Sequence, residues 1–279
     1  MSVATARLRV SHSVRRVAQT PKSFTNWPTV LSDIARGVVG QGPDTLTFST
    51  RNGQRISCPN VPGARVPIYE IFAEDCYHLR WFLGSLADEP IQVLDIGAHV
   101  GTFACELARV HPKAVIHSFE PSPRTAEYLR RNVNQNGLAD RITVFEQAVA
   151  ATAGWAEFDD NGGGSGLNSL LRRDRADGAT TTVRVRTATF DEVAAAAPAP
   201  PSFVKVDCEG GEYDLVYASS PESWASVQRL VIEYHAVPDQ SWPELRAWFG
   251  RAGLTVVRDD PETDRLGTAW LSRTPLRAD

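Results

Sequence analysis

From Thr45 to Cys58, apolar and polar residues alternate on both sides of Asn52-Gly53, the dipeptide that most favours a two-residue turn, so this stretch predicts a β-hairpin. Ile71, Tyr77, Leu79, Phe82 and Leu83 then recur near helical spacing and predict a helix from about Tyr69 to Gly84. A different rhythm starts at residue 91. The runs 91–96 (IQVLDI), 114–120 (AVIHSFE), 141–148 (RITVFEQA), 201–207 (PSFVKVD) and 229–235 (RLVIEYH) are short and strongly apolar, with helical patterns between the first three. Strands buried on both faces read this way, so the pattern predicts an α/β fold with a parallel sheet between helices. Ser122 suits the cap of the second connecting helix, Pro123 its first position and Gly137 its end. A helix stopping at Gly253 and a terminal strand pair, 254–260 with 267–273, complete the series. Two stretches break it: the Gly-rich 159–169, read as a loop over the substrate or a plain surface loop, and 194–201 (AAAAPAPP), read as a connector.

A length of 279 residues, 42% hydrophobic and 22% charged, suits one large α/β domain with an extension or two small domains, and excludes collagen-like and disordered classes. The net charge of −4 argues against a nucleic-acid binder. That average hides a split, because residues 1–69 carry nine basic and two acidic side chains. The expected division is therefore 1–69 as an N-terminal cap with the hairpin and 70–279 as the ligand-binding domain. Arg7, Arg9, Arg15 and Arg16 precede any acid, which suits a membrane-surface, partner or transit-like helix; the scarcity of bulky apolar residues before residue 20 favours a solvated or packed extension. Cys58, Cys76, Cys105 and Cys208 form no CxxC pair and read as free thiols. With no apolar run near 20 residues and no signal-like start, the chain reads as cytoplasmic, without a membrane span.

Chemistry concentrates at two strand ends. In VLDIGAHVGTF (93–103), Asp95 closes a buried strand, and Gly97 and Gly101 bracket the entry to the next helix, so backbone turns tightly where a ligand approaches. Glu120 ends the following strand, where nucleoside sites place an acid on ribose hydroxyls. The turn lacks the full GxGxxG of dinucleotide sites, and Asp95 would repel a pyrophosphate. S-adenosylmethionine, a cationic nucleoside, meets both demands. At the third strand end Glu146, Gln147 and Ala148 face the expected adenine position, with Gln147 the candidate for the exocyclic amine. In FVKVDCEGGEYDLV (203–216), Asp207, Glu209 and Glu212 gather at the carboxyl edge of the sheet, with Lys205 on the side of Asp207 as a paired structural charge.

These motifs resemble the FkbM-type methyltransferases. The likeness rests on DIGAHVGTF, on FEPSP (119–123) and above all on VKVDCEGGEYDLV, with support from YEIFAEDCY (69–77) and IEYH (232–235); it spans about residues 68 to 273. It implies a Rossmann-like class I fold, a seven-stranded, mostly parallel sheet with helices on both faces. It also implies S-adenosylmethionine as cofactor, held by Asp95, Gly97, Gly101 and Glu120, with Asp207 beside the transferred methyl; Ala98, in the same turn, is taken as a further cofactor residue. His99 departs from the small polar residue usual in that turn and is taken as a cofactor contact. Candidate catalytic groups are Asp207, Glu209, Glu233 and His235. These acids and His235 are also divalent-ion ligand types, but ion pairing with Lys205 and backbone capping account for the acids, and no metal is assigned. The expected reaction is methyl transfer to an oxygen of a small-molecule acceptor: a hydroxyl of a sugar, polyketide or other secondary metabolite. Methyl-ester formation on a carboxylate and a non-catalytic cofactor-binding role are the alternatives.

Overall fold

The computed structural model describes residues 15–160 and 181–276. Residues 15–23 form a first helix, α1, and α2 follows at Trp27–Val38. The hairpin forms as its alternation predicts, with β1 (Thr45–Ser49) antiparallel to β2 (Arg55–Pro59) and Gly53 in the left-handed region at φ 93°. The expected helix over 69–84 is instead two short ones, α3 (Val66–Phe72) and α4 (Leu79–Leu83). Asp75 and His78 between them adopt φ of 49° and 46°, which no continuous helix accommodates, and Pro67 draws the start of α3 forward into its first turn. The expected boundary at 69/70 falls inside α3.

The main sheet has seven strands. β3 (Ile91–Ile96), β4 (Ala114–Phe119) and β5 (Ile142–Phe145) run parallel, alternating with α5 (Thr102–Val110) and α6 (Pro123–Gln135). The chain then leaves this sheet. β6 (Ala148–Val149), β7 (Gly154–Asp160) and β8 (Thr181–Ala188) form a separate three-stranded sheet, so the apolar run 141–148 is divided between two sheets at Glu146-Gln147. After α7 (Phe190–Ala195) come β9 (Phe203–Val206), α8 (Glu212–Tyr217), β10 (Arg229–Tyr234), α9 (Trp242–Arg251), β11 (Thr255–Thr263) and β12 (Leu266–Ser272). The strand order is β11-β12-β10-β9-β3-β4-β5, and β12 alone runs against its neighbours. This is an α/β sheet of Rossmann-like kind, and the parallel strands end their carboxyl edges on one side, where such folds bind ligands. Ser122 caps α6 by accepting from the Thr125 amide, as expected, and Gly137 closes it at φ 66°. The alanines at 194–195 belong to α7, because a Thr189–Glu192 capping box starts a helix that good helix formers carry on. Most of the Gly-rich stretch 159–169 lies outside the described residues. Among the described residues no helix is long and apolar enough to cross a membrane.

The N-terminal segment shares a core with the sheet. Phe24, Phe48, Ile56 and Cys58 belong to the same buried cluster as Phe103, Phe203 and Trp270. Phe24 packs edge-on against Phe48 and Tyr69, with ring centroids 4.9 and 5.6 Å away. Asn132 of α6 locks the hairpin in register, accepting from Ser57 N at 2.7 Å and donating to Ser57 O at 2.9 Å and Val100 O at 2.7 Å. Phe24→Ala should therefore cost about 3–5 kcal/mol by opening a cavity in a common core. Denaturant unfolding should stay a single transition at lower midpoint; two separated transitions would make the extension an independent unit.

Candidate active site

The turn after β3 is shaped by two glycines with different tasks. Gly97 (φ 76°) lines the cavity, and a Cβ there would stand 1.7 Å from the Asp207 carbonyl oxygen, so only glycine lets the turn lie against the end of β9. Gly101 (φ 82°) leads into α5, and its Cβ would meet Leu129 of α6 at 2.3 Å; its role is helix packing, and it does not reach the cavity. Ala98 is likewise buried, its amide donating to Phe119 O at 2.9 Å. His99 stands at φ 51° and does line the cavity.

Glu120 sits just past β4 with its carboxylate on the cavity wall, held by the amides of His99 and Ser122, each at 2.9 Å. Burial pushes its pKa up to about 7, against the pull of those two donors. A carboxylate fixed by backbone in this way keeps lone pairs for ligand hydroxyls. Asp95, in contrast, is wholly buried and does not line the cavity. It accepts from Ser118 Oγ at 3.2 Å and faces Lys205 Nζ at 3.6 Å. The expectation of direct cofactor contact at Asp95, Ala98 and Gly101 therefore becomes one of support: they shape the turn from behind.

Lys205 joins the two motifs. Its ammonium donates to Gly97 O at 2.6 Å and lies 3.2 Å from Asp207 and 3.6 Å from Asp95. Burial alone would strip its proton, but Asp207 and Asp95 outweigh that and raise its pKa. Burial likewise opposes the charge on Asp207, yet Lys205, helped by His235, holds that carboxyl below the ordinary range.

Asp207 and Glu209 line the cavity together with Glu233 from β10. Glu209 holds a left-handed φ of 55°, a conformation that costs about 1–2 kcal/mol outside glycine and turns the chain tightly at this edge. His235 stands behind them, outside the cavity lining. Its Nδ1 is 3.1 Å from the buried Glu212, which also accepts the His235 amide at 2.7 Å, and its Nε2 lies 3.5 Å from Glu233 and 3.7 Å from Glu209. Burial disfavours the charged ring, but Glu212 and Glu233 more than reverse this and raise its pKa to about 11. His235 is thus an imidazolium that binds three carboxylates. Burial and then Asp207 raise Glu233. Ligand atoms of Asp207, Glu233 and His235 fall within 4.8 Å of one another, a spacing a cation could bridge only by replacing the His235 proton.

The cavity encloses about 390 Å³. Ile96, Phe119, Pro121, Val149 and Phe158 give it apolar walls, and α3 adds Val66, Pro67 and Glu70. Of the expected adenine-edge residues only Ala148 reaches it; Glu146 pairs with Arg130 on the surface and Gln147 is half-buried elsewhere. Phe158, Val149 and Glu70 escaped sequence reasoning. The first two sit on strands of the second sheet, which local periodicity did not reveal, and an acid in a short amphipathic helix reads as solvent-facing. The YEIF stretch around Glu70 was the available signal.

An open α/β sheet of this strand order, with a glycine turn, an acid on the next strand end and a cavity over both, is the fold of class I methyltransferases. The methyltransferase FkbM domain matches residues 95–255, and the chain belongs to that family. It is 26% identical over 220 residues to methyltransferase sdnD of Sordaria araneosa, covering 69% of this chain and 83% of that one. It is also 26% identical over 247 residues to 31-O-demethyl-FK506 methyltransferase FkbM of Streptomyces tacrolimicus, covering 77% and 91%. Over 80 residues it is 38% identical to 2-O-methyltransferase NoeI of Sinorhizobium fredii, covering 28% and 32%. Among solved structures, M. jannaschii TYW2 in complex with AdoMet superposes with a TM-score of 0.45 at 12% identity, covering 82% of this chain and 85% of that one.

Removing Lys205 leaves two carboxylates without their cation, and Lys205→Met should cost about 3–5 kcal/mol. His235 gives a pH signature. Its unfolded pKa is near 6.5 and its folded one about 11, so its stabilisation is complete below pH 6.5 and is lost as pH climbs from there through 11. The stability gap between wild type and His235→Gln, measured by urea unfolding, should shrink across that window; a gap that does not change with pH would mean a neutral ring.

Proposed function

We propose that this protein transfers the methyl group of S-adenosylmethionine to a hydroxyl oxygen of a small-molecule acceptor. The observation that carries this reading is Glu120, a carboxylate clamped by two amides at the rim of a glycine turn and turned into an apolar-walled cavity. The residues present fit that cofactor. Glu120 would accept from the ribose hydroxyls, the Gly97–His99 turn would receive the methionine end, and Ala148, Val149 and Phe158, which line the cavity, would cover the adenine. A dinucleotide fits less well, since the turn lacks the full GxGxxG and a pyrophosphate beside it would meet Asp207, with Lys205 already committed to carboxylates. When bound, S-adenosylmethionine supplies a methyl on a positively charged sulfur, poised for in-line displacement.

What remains for the protein is placement of the acceptor. Asp207, Glu209, Glu233 and Glu70 line one cavity, and four carboxylates suit an acceptor that donates hydrogen bonds. Asp207, which Lys205 keeps ionised, disfavours the methyl-ester alternative, because a substrate carboxylate would meet a like charge there. Asp207, held ionised by Lys205, orients the hydroxyl, and His235 keeps Glu209 and Glu233 in place without taking a proton itself.

Calorimetry with S-adenosylhomocysteine and with NADH separates the cofactor readings: the first should bind and the second should not. Glu120→Ala should weaken S-adenosylhomocysteine by about 10- to 100-fold, the worth of hydrogen bonds to a charged group, whereas Gln147→Ala should leave it unchanged. Tight NADH binding with no response to S-adenosylhomocysteine would overturn the assignment.

A further inference from the structure

The carboxylates at the sheet edge are all committed. Asp207 is bound to Lys205 at 3.2 Å, and Glu209 and Glu233 are gathered by the His235 ring at 3.7 and 3.5 Å. Glu70 is placed differently. It reaches the same cavity from α3, on the helix face that also presents Val66 and Pro67, while Ile68, Tyr69 and Ile71 bury the other side of that helix. Among the described residues its carboxylate accepts no hydrogen bond, and its one ion-pair partner is Arg16 of α1 at 3.6 Å. Arg16 is itself fixed. Its guanidinium lies over the Tyr69 ring, 5.8 Å from the centroid, and the Tyr69 hydroxyl meets Thr20 Oγ1 of the same helix at 2.8 Å. A second contact, Arg15 with Glu74 at 3.6 Å, joined by Gln19 to Glu74 at 3.0 Å, runs alongside it.

We propose that Glu70 is the catalytic base that takes the proton of the acceptor hydroxyl, and that Arg16 is the positioning residue that holds its carboxylate at the cavity. The inference rests on the hydroxyl reading above. In the step it describes, the acceptor oxygen forms a bond to the methyl carbon while the carbon–sulfur bond breaks and its electron pair stays on sulfur. The hydroxyl proton passes to a Glu70 oxygen and later leaves to solvent, so charge balances: a sulfonium and a carboxylate become a neutral thioether and a neutral acid. Partial burial, with the side chain still 40% exposed, and the neighbouring Glu233 and Asp207 push Glu70 up to about 8, with Arg16 pulling the other way and Glu74 adding a little upward. Cys76 and Tyr77, on which the Glu70 charge also acts, are held uncharged chiefly by burial. A carboxylate at that level is a better proton acceptor near neutral pH than an ordinary one, and it stays ionised for a useful fraction of the time. The basic N-terminal helix then belongs to the active site, through one arginine.

The test combines a titration with kinetics. In the S-adenosylhomocysteine complex, the protonated-carboxyl infrared band that disappears in Glu70→Gln should titrate near pH 8 in the wild type. It should move to higher pH in Arg16→Gln and return in Arg16→Lys. A band lost in the ordinary carboxylate range, or one indifferent to Arg16, overturns the proposal whether or not an acceptor is in hand. Against a panel of methyl glycosides and aliphatic diols, Glu70→Gln should lower kcat by about 100-fold or more, with KM and S-adenosylhomocysteine affinity little changed. The rising limb of the pH–rate profile should follow the infrared titration. Retained kcat in Glu70→Gln would overturn the role of Glu70 alone. Methylation confined to carboxylic acids would overturn the hydroxyl reading and the need for a base with it.

Discussion

The buried ammonium of Lys205 is the contact on which the site depends. It lies between Asp95 of β3 and Asp207 after β9 and donates to the Gly97 carbonyl, so a single charge joins the two central strands to the turn between β3 and α5. Each of the three groups would be costly alone in this interior, and together they satisfy one another. The geometry follows from that mutual need. With the turn drawn against the end of β9, no Cβ fits at position 97, and the amide of His99 comes to the Glu120 carboxylate. The orientation of the cavity-facing Glu120 is thus set through backbone by an ion pair that does not touch the cavity at Asp95.

A second cation organises the other end. His235, held between Glu212, Glu209 and Glu233, binds the loop after β9 to the end of β10 much as Lys205 binds that loop to β3. Two buried cations therefore offset part of the negative charge of the five carboxylates that surround them, Asp95, Asp207, Glu209, Glu212 and Glu233. What they leave uncompensated faces the cavity, where a sulfonium and a hydrogen-bond-donating acceptor would meet it. The N-terminal segment closes the cavity from the remaining side. Because its aromatic residues share a core with β3 and β9, the wall it supplies is as firmly placed as the sheet itself.

Much of the fold was legible locally. The hairpin at Asn52-Gly53, the apolar strands, the capped helix at Ser122-Pro123 and the terminal strand pair all formed where pattern and turn chemistry placed them. Errors fell where tertiary context overrides a local pattern. The apolar spacing over 69–84 is helical, but left-handed residues at 75 and 78 split it into two short helices, each with a buried apolar side. The run 141–148 is apolar throughout, yet its last residues pair with β8 in another sheet.

For the site, the division has a physical cause. The sequence alone determined which residue types gather at strand ends, because a buried parallel strand reads as a hydrophobic run and its polar terminus marks the edge of the sheet: Gly97, Glu120 and Asp207 were placed there this way, and all three line the cavity. Only the tertiary structure decided which way each group turns and which charge meets which. Asp95 faces Lys205 rather than the cavity, the carboxylates around His235 raise its pKa, and Glu70 enters the cavity from a helix whose acid reads locally as solvent-facing. Ionisation and orientation depend on burial and on neighbours distant in the chain, and no spacing along the sequence encodes those.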